Sequence, residues 1–181
     1  MLRVISGKYR GKKLLLPPRT ITRPTRDMVK EAIFSIINFD LPKSIILDAF
    51  AGSGSLAIEA VSRGAIKVVA LETNSITRKV LETNINNLAI HNIDVLNRDA
   101  LSYVQNMYGL KFDIIFLDPP FKAYDLVNNV LISIGQNELL KSQGYIILET
   151  DDPHKISLPP QLTIQKQKKY GINHILIITN N

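Results

Sequence analysis

From residue 44 onward, the chain alternates short apolar runs with longer stretches whose apolar residues recur at helical spacing. This pattern predicts strands at 45–47, 67–71, 93–96, 112–117, 145–148, 161–165 and 172–178, and helices at 55–63, 76–88, 100–107 and 126–134. Short strands joined by helices are typical of βαβ units, which build a parallel sheet covered on both faces. The last two strands have no helix between them, and residues 168–171 are predicted to form a turn, so we expect these strands to form an antiparallel hairpin. The predicted fold class is α/β, with seven strands in a mostly parallel sheet that has an antiparallel last strand.

Length and composition exclude several kinds of protein. The chain has 181 residues, which fits one domain with an extension, and it contains no cysteine. Disulfide frameworks, cysteine-ligated metal centres and cysteine nucleophiles are therefore excluded. The histidines fall at no metal-ligand spacing, and no apolar run approaches the roughly 20 residues of a membrane span. The first residues also lack the continuous apolar segment of a signal peptide. We expect a cytoplasmic monomer without a metal.

The formal net charge of +6 is concentrated at one end of the chain. Residues 1–30 hold nine basic side chains and one acidic, a net charge of +8, whereas residues 31–181 hold 13 basic and 15 acidic. Two apolar-rich segments, 2–5 and 13–16, flank the sequence Gly-Lys-Tyr-Arg-Gly, which predicts a short β-hairpin with a basic turn. A localised basic surface with an aromatic side chain is typical of nucleic-acid binding. The predicted RNA contacts in this hairpin are Lys8, Tyr9, Arg10, Lys12 and Lys13.

A helix is predicted after the hairpin. Its apolar residues lie at 29, 32, 33, 36 and 37, the spacing of one helix face, and Thr25 is a suitable N-cap. Arg26 and Lys30 share one i, i+4 ridge and are expected to lie on a solvated face. The hairpin and this helix form a predicted N-terminal extension, residues 1–43, and residues 44–181 form the main domain.

A glycine-rich turn follows the first predicted strand. Gly52, Gly54 and Ala57 match the G-x-G-x-x-G/A pattern, and they lie between a predicted strand and a predicted helix. Glycine is needed where the backbone turns tightly and approaches a ligand. Glu72 lies 18 residues after Gly54, at the end of the second strand, where a carboxylate can accept hydrogen bonds from ribose hydroxyls. The sequence therefore predicts a cofactor that contains a nucleoside.

Acidic residues distinguish between two such cofactors, NAD and S-adenosylmethionine. Asp48 precedes the glycines, where a carboxylate would repel a pyrophosphate and attract a cationic cofactor. Asp99, after the third strand, is placed to accept a hydrogen bond from an adenine amino group, and it can also cap the helix that begins at Ala100. Acids at successive strand ends favour S-adenosylmethionine over NAD.

The sequence Asp118-Pro119-Pro120-Phe121 follows the fourth strand. The proline pair is stiff and lacks backbone donors, which leaves carbonyl acceptors, and Asp118 adds a carboxylate. Phe121 offers an aromatic face on which a base can stack. Such a segment suits a planar group that bears an NH₂, because two acceptors can orient the weakly nucleophilic nitrogen and stabilise the charge that it gains during transfer.

With these residues, the chain resembles the bacterial 16S ribosomal RNA guanine-N2 methyltransferase family over essentially its full length. The resemblance is carried by three blocks: Arg3–Leu14 with Arg23–Ala32, Asp48–Gly54 with Glu59–Ala65, and Asp118–Phe121. It implies a class I methyltransferase, Rossmann-like fold for residues 44–181. It also implies S-adenosylmethionine as methyl donor and a guanine of 16S ribosomal RNA, in an assembled or partly assembled small subunit, as acceptor.

The resemblance also implies roles for individual residues. Asp118, Pro119, Pro120 and Phe121 are the implied catalytic residues. The implied cofactor-binding residues are Thr25, Asp48, Phe50, Gly52, Ser53, Gly54, Glu72, Asp99 and Ala100. Arg23 and Arg26 join the hairpin residues as RNA contacts.

Two alternative functions are compatible with the residues. The first is an N6-adenine methyltransferase acting on DNA or RNA, since an adenine amine needs the same acceptors; the chain has little room for a separate target-recognition domain. The second is an RNA-binding module without activity, which the intact set of Gly52, Gly54, Glu72 and Asp118 disfavours.

Overall fold

The computed structural model describes residues 2–18 and 27–181, which form two compact units, 1–97 and 98–181. The first unit contains α1 (Asp27–Ile36), β1 (Ile45–Asp48), α2 (Ser55–Ser62), β2 (Lys67–Leu71), α3 (Ser75–Asn87) and β3 (Ile93–Leu96). β2 pairs in parallel with both β1 and β3. β1 and β2 are buried at most positions, as expected for a parallel sheet with helices on its faces, whereas in β3 only Ile93 is buried.

The second unit contains α4 (Ala100–Gln105), β4 (Phe112–Leu117), α5 (Tyr124–Gln136), β5 (Leu140–Thr150), a short 3₁₀ helix (Pro153–Lys155), β6 (Leu162–Tyr170) and β7 (Asn173–Asn180). β4 and β5 are parallel, whereas β7 is antiparallel to both β5 and β6. The seven strands follow the order β3-β2-β1-β4-β5-β7-β6. The predicted seven-stranded, mostly parallel α/β fold with an antiparallel last strand is confirmed, and β7 is inserted between β5 and β6.

The C-terminal hairpin is longer than the sequence predicts. We expected the turn at 168–171, but Lys168, Lys169 and Tyr170 belong to β6 and pair with β7. Only residues 171–172 turn, because Gly171 adopts a φ of 65° and two residues therefore suffice. Residues 168–170 are polar, as turn residues usually are, and were therefore predicted to form a turn. They can belong to β6 because an edge strand does not need a buried face.

The N-terminal hairpin is confirmed as a short one. Its strands meet in a single bridge between Arg3 and Lys13, supported by bonds from Val4 N to Lys12 O (2.9 Å) and from Leu14 N to Leu2 O (2.9 Å). We call residues 2–16 the basic hairpin and residues 7–11 its basic turn. Leu2, Val4 and Leu14 are buried, so the hairpin has an apolar side.

α1 contradicts one expectation. Val29, Ile33 and Ile37 are buried as predicted, but Lys30 is fully buried as well and not on a solvated face. Its Nζ donates a 2.6 Å hydrogen bond to the Arg3 carbonyl and lies 3.5 Å from Glu59 Oε2, so a buried carboxylate and a carbonyl replace water. Thr25 and Arg26 lie outside the described residues. In the part of the chain that the structure describes, no helix has the length and apolarity to cross a membrane.

Candidate functional site

A tight turn joins β1 to α2. β1 ends at the buried Asp48, and residues 49–54, which we call the glycine turn, lead to Gly54 as the N-cap of α2. Ala51 N donates to the carbonyl of Leu71 at the end of β2 (3.0 Å), and Gly54 N donates back to Ala51 O (2.7 Å). The glycine turn is therefore held against the end of β2, as in nucleotide-binding βαβ units.

Gly52 and Gly54 both have positive φ, 54° and 83°, but different surroundings. A Cβ on Gly54 would lie 2.1 Å from Leu81 Cδ1 of α3, so this glycine allows two helices to pack closely. A Cβ on Gly52 would meet nothing within 4 Å. The open side of Gly52 is where the backbone can be approached by a ligand.

We expect Gly52→Ala and Gly54→Ala to have different effects. Both substitutions impose similar backbone strain, of about 1–2 kcal/mol. Gly54→Ala should also lower the thermal stability through its clash with Leu81, whereas Gly52→Ala should mainly weaken cofactor binding. Thermal unfolding with and without S-adenosylmethionine measures both effects. An unchanged ligand-induced rise in Tm for Gly52→Ala would show that no cofactor approaches this position.

Glu72 lies directly after β2 and beside the glycine turn. Its own N–H donates to the Leu96 carbonyl (3.1 Å), and its Oε1 accepts from the N–H of Asn74 (2.7 Å). Burial raises the pKa of Glu72 above its ordinary 4.5, partly offset by backbone hydrogen bonds from Asn74 and Gly52. A half-buried carboxylate next to Gly52 is suitable for accepting hydrogen bonds from a diol.

We expect the affinity for the cofactor to depend on pH through the ionisation of Glu72. The carboxylate accepts two hydroxyl hydrogen bonds only when ionised, and a raised pKa means that protonation begins at a higher pH than for an ordinary glutamate. Cofactor affinity should therefore fall as the pH drops through this raised pKa. Glu72→Gln should bind more weakly at neutral pH and lose this pH dependence. Calorimetric titrations across pH test it, and an unaltered pH profile in Glu72→Gln would contradict the assignment.

Asn84 of α3 connects the glycine turn to the N-terminal segment. It is only 2% exposed, and its Nδ2 donates to the carbonyls of Ser53 (3.0 Å) and Leu15 (3.1 Å). Its Oδ1 accepts from Leu15 N (2.8 Å). Sequence reasoning missed Asn84, although an asparagine aligned with apolar positions of a helix was a signal. Ser53 itself is buried, and Phe50 is half-buried.

The basic hairpin is attached to α2 through Glu59, which is fully buried. The two carboxylate oxygens of Glu59 accept from the N–H groups of Ile5 (2.8 Å) and Ser6 (3.0 Å). Arg63 Nε donates to the same carboxylate (2.8 Å), and Lys30 Nζ approaches it within 3.5 Å. Two cations and two backbone donors therefore stabilise one buried charge.

Ser62, one turn further along α2, holds the basic turn. Its Oγ accepts from Tyr9 N (2.9 Å) and donates to Ser6 O (2.6 Å), and its carbonyl accepts from Lys8 N (2.8 Å). Gly7 has φ 82°, and a Cβ there would lie 1.8 Å from the Ser62 carbonyl oxygen. Every one of these bonds uses the backbone of the hairpin, so they leave its side chains available.

The predicted RNA-binding side chains of the hairpin point to solvent. Lys8, Arg10, Lys12 and Lys13 are exposed, and the half-buried Tyr9 has the Lys8 ammonium 5.2 Å from its ring centre. The other predicted RNA contacts, Arg23 and Arg26, lie outside the described residues, as does Thr25 of the cofactor set. Among the described residues, no cluster of three or more His, Asp or Glu could hold a metal ion.

In the second unit, Asp99 caps α4. Its Oδ1 accepts from Ser102 N (2.9 Å), which confirms the capping role, and it remains exposed. Ala100 is buried at the start of the helix. Contact of Asp99 with an adenine stays a prediction.

The sequence 118–121 forms an exposed loop after β4. Asp118 and Pro119 are half-buried, whereas Phe121 is 68% exposed and has the Lys122 ammonium 5.4 Å from its ring centre. The Pro120 carbonyl accepts from Ala123 N (3.1 Å), closing a turn in which Lys122 adopts a φ of 61°. A non-glycine residue with this φ is strained, and such strain is concentrated at functional loops.

Tyr124 fixes the far end of this loop. It is the first residue of α5, and its hydroxyl donates to Asp151 Oδ1 (2.8 Å), just beyond β5. The hydrogen bond to Asp151 raises the pKa of Tyr124 to about 12. The loop is thus held by β4 at one end and by Tyr124 at the other, and no sequence pattern predicts the contact between Tyr124 and Asp151.

Comparison with known proteins agrees with this arrangement. The family model described as Conserved hypothetical protein 95 matches residues 2–179. The ribosomal RNA small subunit methyltransferase D of Haemophilus influenzae is 35% identical over 174 residues, 94% of this chain and 90% of the relative. The solved structure of the putative methyltransferase yhhF from Escherichia coli has a TM-score of 0.89 at 28% identity, covering 99% of this chain and 98% of that one. The Podospora anserina methyltransferase PaMTH1, solved with bound SAH, shares the fold, with a TM-score of 0.72 at 15% identity over 90% of this chain and 84% of that one. The chain belongs to the ribosomal RNA small subunit methyltransferase D family.

Proposed function

We propose that this protein transfers a methyl group from S-adenosylmethionine to the exocyclic N2 amine of a guanine in 16S ribosomal RNA. Relatives named ribosomal RNA small subunit methyltransferase D support ribosomal RNA as the substrate. The observation that carries the proposal is the loop at 118–121, where a carboxylate precedes two prolines and an exposed aromatic ring. The acceptor is proposed to be part of an assembled or partly assembled small subunit.

The first unit has the groups that S-adenosylmethionine requires. The open side of Gly52 admits the ligand, Glu72 accepts from the ribose hydroxyls, and the buried Asp48 favours a cation. Phe50, Ser53 and Gly54 complete the part of the proposed cofactor site that lies in the first unit. Thr25, Asp99 and Ala100 are proposed as further cofactor contacts from the sequence alone. When bound, the cofactor supplies an activated methyl group on a sulfonium.

The loop at 118–121 orients the acceptor base. Asp118 accepts one N–H of the amine, and the Pro119 carbonyl accepts the second, which aligns the nitrogen lone pair. The Asp118 carboxylate also stabilises the positive charge that the nitrogen gains. The C–S bond of the sulfonium would break as the C–N bond forms, which would leave a neutral thioether, and the nitrogen would then lose one proton to solvent. Phe121 stacks on the base, which compensates part of the few kcal/mol needed to unstack it from the RNA. The amine needs neither a metal nor a covalent intermediate.

Residues 1–43 bind the RNA, and residues 44–181 form the methyltransferase domain. Backbone N–H groups of the hairpin donate to the Glu59 carboxylate and the Ser62 hydroxyl. These bonds hold the hairpin in advance, so RNA binding does not have to order it. α2 has the glycine turn at its N-terminus and Ser62 at its C-terminus, eight residues that span about 12 Å. One rigid helix therefore carries both the cofactor turn and the basic turn. We further propose that the protein acts as a cytoplasmic monomer.

Methyl transfer from labelled S-adenosylmethionine to small subunits that lack the modification tests the proposal. We expect label in 16S ribosomal RNA, at the N2 of a guanine after nuclease digestion and nucleoside analysis. Label on adenine N6 would instead support the alternative amine specificity. RNA binding without methyl transfer, together with no rise in Tm on adding S-adenosylmethionine, would support the alternative that the protein is an RNA-binding module without activity.

A further inference from the structure

The C-terminal residues form a second basic region that the proposed function does not use. Residues 153–181 contain four lysines and no aspartate or glutamate, whereas residues 31–152 contain nine basic and 15 acidic side chains. Three of the four lysines, Lys166, Lys168 and Lys169, lie within four residues of each other in β6. The net charge of the whole chain does not reveal this region, because the acidic side chains of residues 31–152 offset its positive charge.

β6 is exposed on both of its faces. It is the last strand in the sheet order, and five consecutive residues, 163–167, are exposed. A strand that covered a core would alternate buried and exposed positions. Its neighbour β7 is buried over 175–178, so the apolar packing of this hairpin is provided by β7. The exposed side chains of β6, those of residues 163–167 and Lys169, can contact another molecule.

The lysines of β6 also differ from other lysines in their ionic partners. Lys67, Lys111 and Lys141 lie 2.6, 3.0 and 2.8 Å from carboxylates of Asp94, Glu138 and Asp113. Within 2–18 and 27–181, neither Lys166, Lys168 nor Lys169 has a carboxylate within ion-pair distance. Their charges are therefore available to an external anion.

We propose that β6 is a second RNA-binding surface, which contacts the phosphate backbone of the same substrate. The inference rests on the proposed function, since it assumes an RNA substrate. Lys166 and Lys168 pair opposite Ile177 and Ile175 and lie on one side of the strand, while Lys169 pairs opposite His174 and lies on the other. The strand thus presents cations on both sides of an edge. Contacts of this type position RNA without reading its sequence.

Charge favours RNA over a second protein copy as the occupant of this edge. Lysines on an edge strand oppose pairing with an identical strand, because like charges would be brought together. The same charges attract a polyanion and release its counterions. The neighbouring Gln165 and Gln167 are exposed and polar, as contacts to phosphate and sugar require.

The triple variant K166Q/K168Q/K169Q tests this surface on the full chain. Binding to 16S ribosomal RNA, measured between 50 and 200 mM salt, should show a slope of log K against log salt that is shallower by about two units, at roughly 0.7–0.9 per phosphate contact. The matched control is K67Q/K111Q/K141Q, which removes the same charge from lysines that are paired with carboxylates. Its slope should change little.

The outcomes separate the inference from the proposed function. Equal changes of the salt slope in both triple variants would show that only the net charge of the protein matters, and this would overturn the inference. An unchanged slope in K166Q/K168Q/K169Q, with self-association in sedimentation, would show that these lysines only protect the edge. A hairpin variant, K8Q/R10Q/K12Q/K13Q, measured in parallel reports on the proposed function. If the salt slope becomes shallower in the hairpin variant but not in the β6 variant, the proposed function stands and only the inference about β6 is wrong.

Discussion

Replacing Asp118 by alanine should lower kcat by about 10²–10³-fold, the loss typical of removing one group that stabilises charge in the transition state. The affinity for S-adenosylmethionine should stay within a few-fold, because the glycine turn and Glu72 are intact. Single-turnover methyl transfer and calorimetric titration of the cofactor measure the two quantities separately.

Asp113 of β4 provides a matched control for Asp118. It precedes Asp118 by five residues, and its carboxylate forms an ion pair with Lys141 (2.8 Å) at partly exposed positions. Asp113→Ala removes a carboxylate from β4 without touching the loop, so its rate should remain within about two-fold, as a surface ion pair contributes little. If Asp118→Ala lost cofactor affinity and rate in equal measure, Asp118 would be a cofactor ligand and not a group that acts on the amine.

The sequence predicts those features that depend on neighbours along the chain. Asp99 was recognisable because a helix start needs particular residues within three or four positions, and it occupies the predicted N-cap of α4. The parallel sheet followed from the alternation of strands and helices. The predicted end of β6 was wrong because turn composition and edge-strand composition are alike, both being polar.

Features that depend on distant contacts were not predictable. Lys30 and Glu59 are 29 residues apart, and nothing in the periodicity of either helix indicates that they meet in a buried pair. Burying such a pair is costly unless other groups satisfy the charges, and those groups are the backbone N–H groups of Ile5 and Ser6. The buried pair is stable only in a fold that brings the hairpin onto α2. The sequence does not reveal this contact, and Lys30 was therefore predicted to lie on the solvent-exposed face of α1.

The position of the basic hairpin can be tested with two glycines that have the same backbone geometry. Gly7 and Gly11 have φ of 82° and 79°, so alanine strains the backbone about equally at both. At Gly7 the new Cβ would lie 1.8 Å from the carbonyl oxygen of Ser62, whereas at Gly11 it would meet nothing within 4 Å. The Ser62 oxygen cannot move aside without losing its hydrogen bond from Lys8 N (2.8 Å). Gly7→Ala therefore displaces the hairpin from α2, and Gly11→Ala does not.

We expect Gly7→Ala to weaken RNA binding by at least about ten-fold with a shallower salt slope, although all four basic side chains of the turn region are retained. Gly11→Ala should bind within about three-fold of the unmodified protein, and both variants should bind S-adenosylmethionine normally. Titrations of 16S ribosomal RNA at several salt concentrations provide the comparison. A salt slope that is unchanged in Gly7→Ala would mean that the lysines and arginine find phosphates from any position of the hairpin. Loss of binding confined to Gly7→Ala would instead show that the attachment to α2, through Glu59 and Ser62, determines where the RNA is held relative to the cofactor turn.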